Sequence, residues 1–287
     1  MMIAMTHWLR LMIAAVFLPA AGPAAAQDGQ RVDVQLVLAV DISVSMSKDE
    51  LEIQRRGYAS ALTDPQVLEA ITSGSYGRIA ISYFEWAGVT SQRLVVPWTI
   101  IAGREDAQAV VDRISVPPAW QSRKTSISGA LVFAADLMEK SPFKGIKRVI
   151  DVSGDGANNE GPPLAPTRDR VAASGITING LPVMTQAADL KPYEVPDLDH
   201  YFGECVIGGP GAFVMPVVGW EQFPEAIRRK LLLELARQPA VAPEPARIIL
   251  AQAKPDYDCL IGERLWREDG RQHMYNPENE PKHRNRR

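Results

Sequence analysis

The sequence predicts an α/β domain: a doubly wound, mostly parallel sheet with helices on both faces, followed by an extended C-terminal tail. Three observations carry this. Short apolar runs suited to buried strands alternate with stretches whose apolar residues recur at helical spacing. The first run, Leu36 to Val40, stops abruptly on Asp41 and on two hydroxyls at alternate positions, Ser43 and Ser45, just before a helix start. Beyond about Pro239 the composition turns to proline, charged and polar residues, which favours an extended or partly disordered tail.

Taken in order, the first strand spans Val34–Val40, and a helix runs from Lys48 to about Leu62, capped by Ser45 or Ser47. Asp64-Pro65 interrupts it before a short helix at Gln66–Ile71. Arg78–Phe84 reads as the second strand, with Leu94–Val96 beside it at a sheet edge. Ala107, Val110, Val111 and Ile114 place a helix over Arg104–Ile114, broken by Pro117-Pro118. After a loop at Ala119–Lys124, Thr125 opens a strongly apolar helix through Ile127, Ala130, Leu131, Ala134 and Met138. The strand Arg148–Ser153 runs into Gly154-Asp155-Gly156. A helix at Pro166–Ala173, a strand at Ile176–Asn179, a last strand at Phe213–Val218 and an amphipathic helix at Phe223–Ala236 close the domain. Gly208 to Gly211 lack the strand-to-helix context of a phosphate cradle and read as a turn.

Composition narrows the functional classes. A chain of 287 residues, 46% hydrophobic, fits one domain with appendages. Its net charge of -3 argues against a general nucleic-acid or membrane-surface binder. Arg10, the apolar run Leu11–Ala21 and the small residues Ala24 to Ala26 before Gln27 predict a secretory signal peptide over residues 1–26. That run is shorter than the roughly 20 residues a membrane span needs, and no later segment qualifies. The mature protein is therefore expected in an exported, oxidising compartment, periplasmic or secreted. Its two cysteines, Cys205 and Cys259, are either a disulfide that ties the tail to the domain or two separate buried thiols.

The chemistry concentrates at one sheet edge. In a doubly wound sheet, loops at the carboxyl ends of neighbouring strands meet in a crevice. Asp41, Ser43, Ser45, Thr125 and Asp155 can converge there despite their distance in sequence. Such oxygens suit a hard divalent cation. Each also has a plainer role: Thr125 as a helix cap, Asp155-Gly156 as a turn, Ser45 or Ser47 as a cap. Asp151 is either an acid behind the site or a hydrogen-bonded structural carboxylate. Glu85-Trp86 either borders the site or packs. Asn158, Asn159 and Glu160 either shape the rim or form a solvated loop.

Asp-x-Ser-x-Ser at 41–45, a Thr at a helix head and Asp-Gly at 155–156 resemble the metal-ion-dependent adhesion site (MIDAS) of von Willebrand factor type A domains. The resemblance covers roughly Arg31 to Ala236 and divides the chain into a signal peptide (1–26), a type A domain (31–236) and a C-terminal extension (237–287). It looks most like an exported bacterial branch of that family. The resemblance implies that Ser43, Ser45 and Thr125 offer hydroxyls to Mg2+, or to Mn2+ or Ca2+, while Asp41 and Asp155 supply charge directly or through water. It further implies a protein partner whose acidic residue completes the ion's shell, coupled to a shift of the helix at Phe223–Ala236.

Enzymatic alternatives are poorly supported. The sequence has no Gly-x-Ser-x-Gly elbow and no His-Glu-x-x-His pair. None of the four histidines pairs with a plausible nucleophile or zinc ligand set. A magnesium-dependent phosphohydrolase also places an Asp after its first strand, but typically a second Asp two residues on. Here that position is Ser43, a poor acid or base near neutral pH. A metal-independent periplasmic binding protein leaves Asp-x-Ser-x-Ser unexplained.

Overall fold

β1 (Gln30–Asp41) lies at the centre of the sheet, and its strictly apolar stretch explains why. From Leu36 to Val40 it is buried on both faces, as a strand covered by two helical layers must be. It pairs in parallel with β2 (Ile79–Trp86) on one side and β4 (Phe143–Gly154) on the other. β3 (Gln92–Ile101) closes one edge antiparallel to β2. On the far side β5 (Thr177–Met184) pairs in parallel with β4, then with the two-residue strands β6 (Phe213–Val214) and β7 (Val217–Val218). β8 (Ile249–Leu250) is antiparallel to β6, giving the order β3-β2-β1-β4-β5-β6-β8. The structure, a computed structural model, describes residues 29–117, 121–184, 195–236, 249–250 and 257–274.

Alternation along β1 sorts the two cores. Leu36, Leu38 and Val40 face a layer containing α1 (Lys48–Leu62), α2 (Pro65–Thr72), α3 (Arg104–Ile114) and α7 (Phe223–Leu235). Val37 and Ala39 face α4 (Ile127–Glu139), α5 (Leu164–Ala173) and α6 (Leu198–Tyr201). Each large aliphatic side chain so buried contributes about 1.5–3 kcal/mol relative to exposure. On the first face, Tyr58 of α1 stands edge-on to Tyr83 of β2 and Phe223 of α7, so three elements share one aromatic contact.

The architecture matches the expected doubly wound sheet, with instructive differences at the boundaries. β4 begins at Phe143 rather than Arg148, because Phe143, Lys144 and Gly145 continue the pairing with Gln30, Arg31 and Val32. Backbone hydrogen bonds to a central strand extend it through residues whose side chains carry no strand signal. The strand expected at Phe213–Val218 is split into β6 and β7. The helix expected to open at Thr125 begins at Ile127 with Ser126 as its cap. The C-terminal extension is not merely an extended tail: it contributes β8 and α8 (Ile261–Met274). Cys205 and Cys259 are joined in a disulfide with Cα atoms 5.5 Å apart. The expected signal peptide and the basic chain end lie outside the described residues. No helix among the described residues is long and apolar enough to cross a membrane.

Candidate metal centre

Parallel pairing of β1 with β4 puts Val40 opposite Ser153, so Asp41 and Asp155 both emerge at the same sheet edge. After Asp41 the chain turns into α1, whose N-cap is Ser47. Ser47 Oγ accepts the Glu50 N–H at 3.2 Å, and Glu50 Oε2 accepts the Ser47 N–H at 2.7 Å. This reciprocal box satisfies the helix start and releases Ser45 from capping. Likewise Ser126 Oγ accepts the Gly129 N–H at 3.1 Å and donates to the Glu160 carbonyl at 2.8 Å, so the plainer alternative of Thr125 as the helix cap does not hold.

Four of the five expected residues form one hydrogen-bonded chain. The Ser43 N–H donates to Asp41 Oδ1 at 2.7 Å, the Ser43 and Ser45 hydroxyl oxygens are 2.8 Å apart, and Ser45 Oγ donates to Asp155 Oδ1 at 2.8 Å. Thr125 stands outside that chain, its backbone tied to Asn159. Its N–H donates to Asn159 Oδ1 at 3.0 Å, and its carbonyl accepts the Asn159 N–H at 2.8 Å. A Cβ on Gly156 would stand 3.8 Å from Thr125 Oγ1, in ordinary contact. The loop after Asp41 is held from outside by Gln121, whose Nε2 donates to the carbonyls of Ser43 and Met46, each at 3.1 Å.

The electrostatics are unusual. Asp41 is 0% exposed, and its Oδ2 is buried with no hydrogen-bond partner. Burial pushes the Asp41 carboxyl well above the usual carboxylate range, and the neighbouring Asp155 charge pushes it further. Hydrogen bonds from Ser43 and from the Asp155 backbone oppose the shift but are outweighed. A Cβ on Gly154 would come within 3.0 Å of Asp41 Oδ2, so the absence of a side chain there keeps that oxygen uncrowded. A buried carboxylate with a bare oxygen beside a second carboxylate demands either a proton or a cation. The donors are all hydroxyl and carboxylate oxygens, and the described residues hold no cluster of three or more His, Cys, Asp or Glu side chains. This chemistry fits a hard divalent ion and not a thiolate or imidazole metal.

The other candidates resolve individually. Asp151 is a structural carboxylate: its Oδ1 lies 2.6 Å from Lys230 Nζ of α7, which lies equally close, 2.6 Å, to Glu234 Oε1. Glu85 is also structural, paired with Arg93 at 2.9 Å. Asn158 is fully buried, so the residues after Asp155 are not simply a solvated loop. Lys230 and Glu234 escaped the sequence reading. The available signal was their place on the apolar stripe Ile227, Leu231, Leu235 of an amphipathic helix, where unpaired charges would be costly.

Three solved structures are similar to this chain at low identity. The pilus adhesin SpaC from Lactobacillus rhamnosus GG in its open conformation is 14% identical, covering 72% of this chain and 31% of that one, with a TM-score of 0.55. Proximal thread matrix protein 1 from the mussel byssus, with a zinc-occupied MIDAS motif, is 14% identical, covering 72% and 48%, with a TM-score of 0.50. A von Willebrand factor type A protein from Catenulispora acidiphila is 15% identical, covering 71% and 43%, with a TM-score of 0.48. The chain spans less than half the length of each. No curated protein matches the sequence. The sheet order and the helices on both faces are those of a von Willebrand factor type A-like α/β fold. By sequence, the chain belongs to the family described as "Protein of unknown function (DUF1194)", which matches residues 31–239.

Proposed function

We propose that this protein is an exported type A domain that binds a partner protein through a divalent cation held by Asp41, Ser43, Ser45, Thr125 and Asp155. The observation that carries the reading is the buried Asp41 carboxylate, with one oxygen bare and a second carboxylate beside it. The mussel protein with a zinc-occupied MIDAS motif supports a divalent ion on this fold. Hydroxyl ligands leave such an ion only partly neutralised, and Mg2+ retains exchangeable positions that an acidic side chain of a partner can fill. Within the chain, Ser43 and Ser45 link the two carboxylates, and Asn159 bonds the Thr125 backbone, whose side chain lies near Gly156. Val44 is 48% exposed between the two serines and offers an apolar contact next to the polar centre.

Burial of Asp41 also weighs against the phosphohydrolase alternative. A carboxylate that attacks phosphorus must meet its substrate, whereas Asp41 has no exposed surface and uses Oδ1 to hold the Ser43 amide. The disulfide is consistent with an oxidising compartment. The test is calorimetric titration of Mg2+ and Mn2+ into metal-stripped mature protein beside a Ser43→Ala/Ser45→Ala variant. One-site binding in the wild type and its loss in the variant are expected. Binding indifferent to the two hydroxyls would overturn the assignment.

A further inference from the structure

The C-terminal helix sits on the loop that carries Asp155. α8 begins two residues after Cys259, and the disulfide anchors it to Cys205 in the buried turn of π-helix at Phe202–Val206. Its first turn is built locally: the Asp258 carbonyl accepts the Ile261 N–H at 3.0 Å, and Arg264 pairs with Asp258 at 2.9 Å. From there α8 reaches both arms of the candidate centre. Gly262 is buried against the Asn158 backbone so closely that a Cβ would stand 2.2 Å from the Asn158 carbonyl oxygen. Glu263 Oε1 accepts from Asn158 Nδ2 at 2.7 Å. The Lys124 ammonium lies 4.4 Å from the centre of the Trp266 ring, one residue before Thr125.

Asn158 is where these contacts meet. Its side-chain oxygen accepts the Ser128 N–H of α4 at 2.9 Å, and its own N–H donates to the Tyr201 hydroxyl at 3.1 Å. Tyr201 in turn packs edge-on to Tyr257, just before the disulfide. The next residue, Asn159, makes the two bonds to Thr125 described above. Asp155 and Thr125 come from separate segments, and the bridge between them runs through two asparagines, one of them gripped by α8.

We propose that the disulfide-tethered α8 is a clamp on the candidate centre, with Gly262, Glu263 and Asn158 as positioning residues that hold Asp155 and Thr125 at the spacing a divalent ion requires. This rests on the cation-binding reading above. Outer residues that orient metal ligands typically contribute 10–100-fold to affinity. Released, the loop after β4 would have to be ordered by the ion itself, at the expense of binding.

The experiment uses the full mature chain under non-reducing conditions, with Mn2+ as the probe and two variants. Gly262→Leu lifts α8 off Asn158 but keeps the tether. Cys205→Ala/Cys259→Ala removes the tether but keeps the seat. Mn2+ affinity by calorimetry is expected to fall about 10–100-fold in Gly262→Leu. In metal-free protein, hydrogen exchange at the Asn158 and Asn159 amides is expected to accelerate. Should the cysteine variant fail to fold, Gly262→Leu alone decides. Wild-type binding with variant affinities within twofold and unchanged exchange overturns the clamp and leaves the cation site standing. A wild-type chain that binds no Mn2+ overturns the cation site, and the clamp with it.

Discussion

Replacing Asp41 by Asn should stabilise the metal-free protein while removing its response to metal. The side chains are nearly isosteric, and Asn retains an oxygen to accept the Ser43 N–H that Asp41 Oδ1 now accepts at 2.7 Å. What changes is the second position. Asp41 Oδ2 is a buried acceptor without a partner, on a carboxyl that burial and Asp155 both disfavour as an anion. An amide there is neutral and can present a donor toward the acidic neighbour. A buried unsatisfied polar group costs about 1–3 kcal/mol, more when charged. For a domain of this size each kcal/mol moves Tm by about 2–4 °C, so Asp41→Asn should raise the Tm of chelator-treated protein by about 2–12 °C.

Saturating Mg2+ should offset most or all of that difference. At one hundred times its Kd a ligand that binds only the folded state adds about 2.7 kcal/mol, and only the wild type should gain it. Differential scanning calorimetry at neutral pH, with chelator and then with excess Mg2+, reads both effects on the same samples. A variant less stable than the wild type without metal would refute the claim that Asp41 is held at a cost. Equal Mg2+ responses in the two proteins would refute the assignment of the ion to this carboxylate.

Two further predictions concern the stability of the fold. Lys230→Met leaves Asp151 and Glu234 buried and facing each other without their cation, a change that typically costs about 3–5 kcal/mol. The cost should depend on pH. Burial raises the Asp151 carboxyl to about 7, with Lys230 opposing and Glu234 reinforcing the shift. A raised carboxyl favours the fold below its unfolded value near 4, and that contribution is lost as pH rises through about 7. Urea unfolding should therefore show a larger penalty for Lys230→Met at pH 8 than at pH 5, and equal penalties would contradict the reading. Separately, the disulfide joins residues 54 apart, for which loop entropy gives a stabilisation of about 4 kcal/mol. Comparing wild type with Cys205→Ala/Cys259→Ala by urea unfolding tests it, and a loss under about 1 kcal/mol would show that the denatured chain gains little freedom.

How much of this was legible in the sequence depends on the range of the interaction. β1 could be read because Leu36 to Val40 are continuously apolar, and Asp41, Ser43 and Ser45 because they interrupt that run at alternate positions. The start of β4 could not, since Phe143 to Gly145 are strand residues only through their pairing with Gln30 to Val32. Thr125 and Ser126 are adjacent cap-forming residues, and propensity alone does not choose between them. Glu160, distant in sequence, supplies the carbonyl that engages Ser126. The tail was legible in part: the cysteine pair offered its tether, but not the helix that follows. Its polar composition argues for disorder, yet a single disulfide and a glycine fitted against Asn158 bring α8 onto the domain.

The two central strands each carry a buried carboxylate, and the contrast between them bears on what the molecule does. Asp151, in the body of β4, has its cation built in: Lys230, 0% exposed, stands 2.6 Å away, shared with Glu234 and backed by Asn179, which donates to Glu234 at 2.9 Å. Asp41, at the end of β1, is just as deeply buried, but the groups that shift it are a second carboxylate and hydrogen-bond donors, with no ammonium or guanidinium among them. Hydrogen bonding alone leaves its Oδ2 bare. One sheet thus compensates a buried anion with a lysine where the anion serves the fold. At the edge where loops meet it surrounds the anion with small hydroxyls instead. Hydroxyls cannot neutralise a carboxylate, but they can share a small divalent ion with it and leave part of that ion's shell open to solvent. A site serving stability alone would gain from a lysine at that edge. Among the described residues, no cation is among the groups that shift Asp41, which is the arrangement the cation-binding proposal requires.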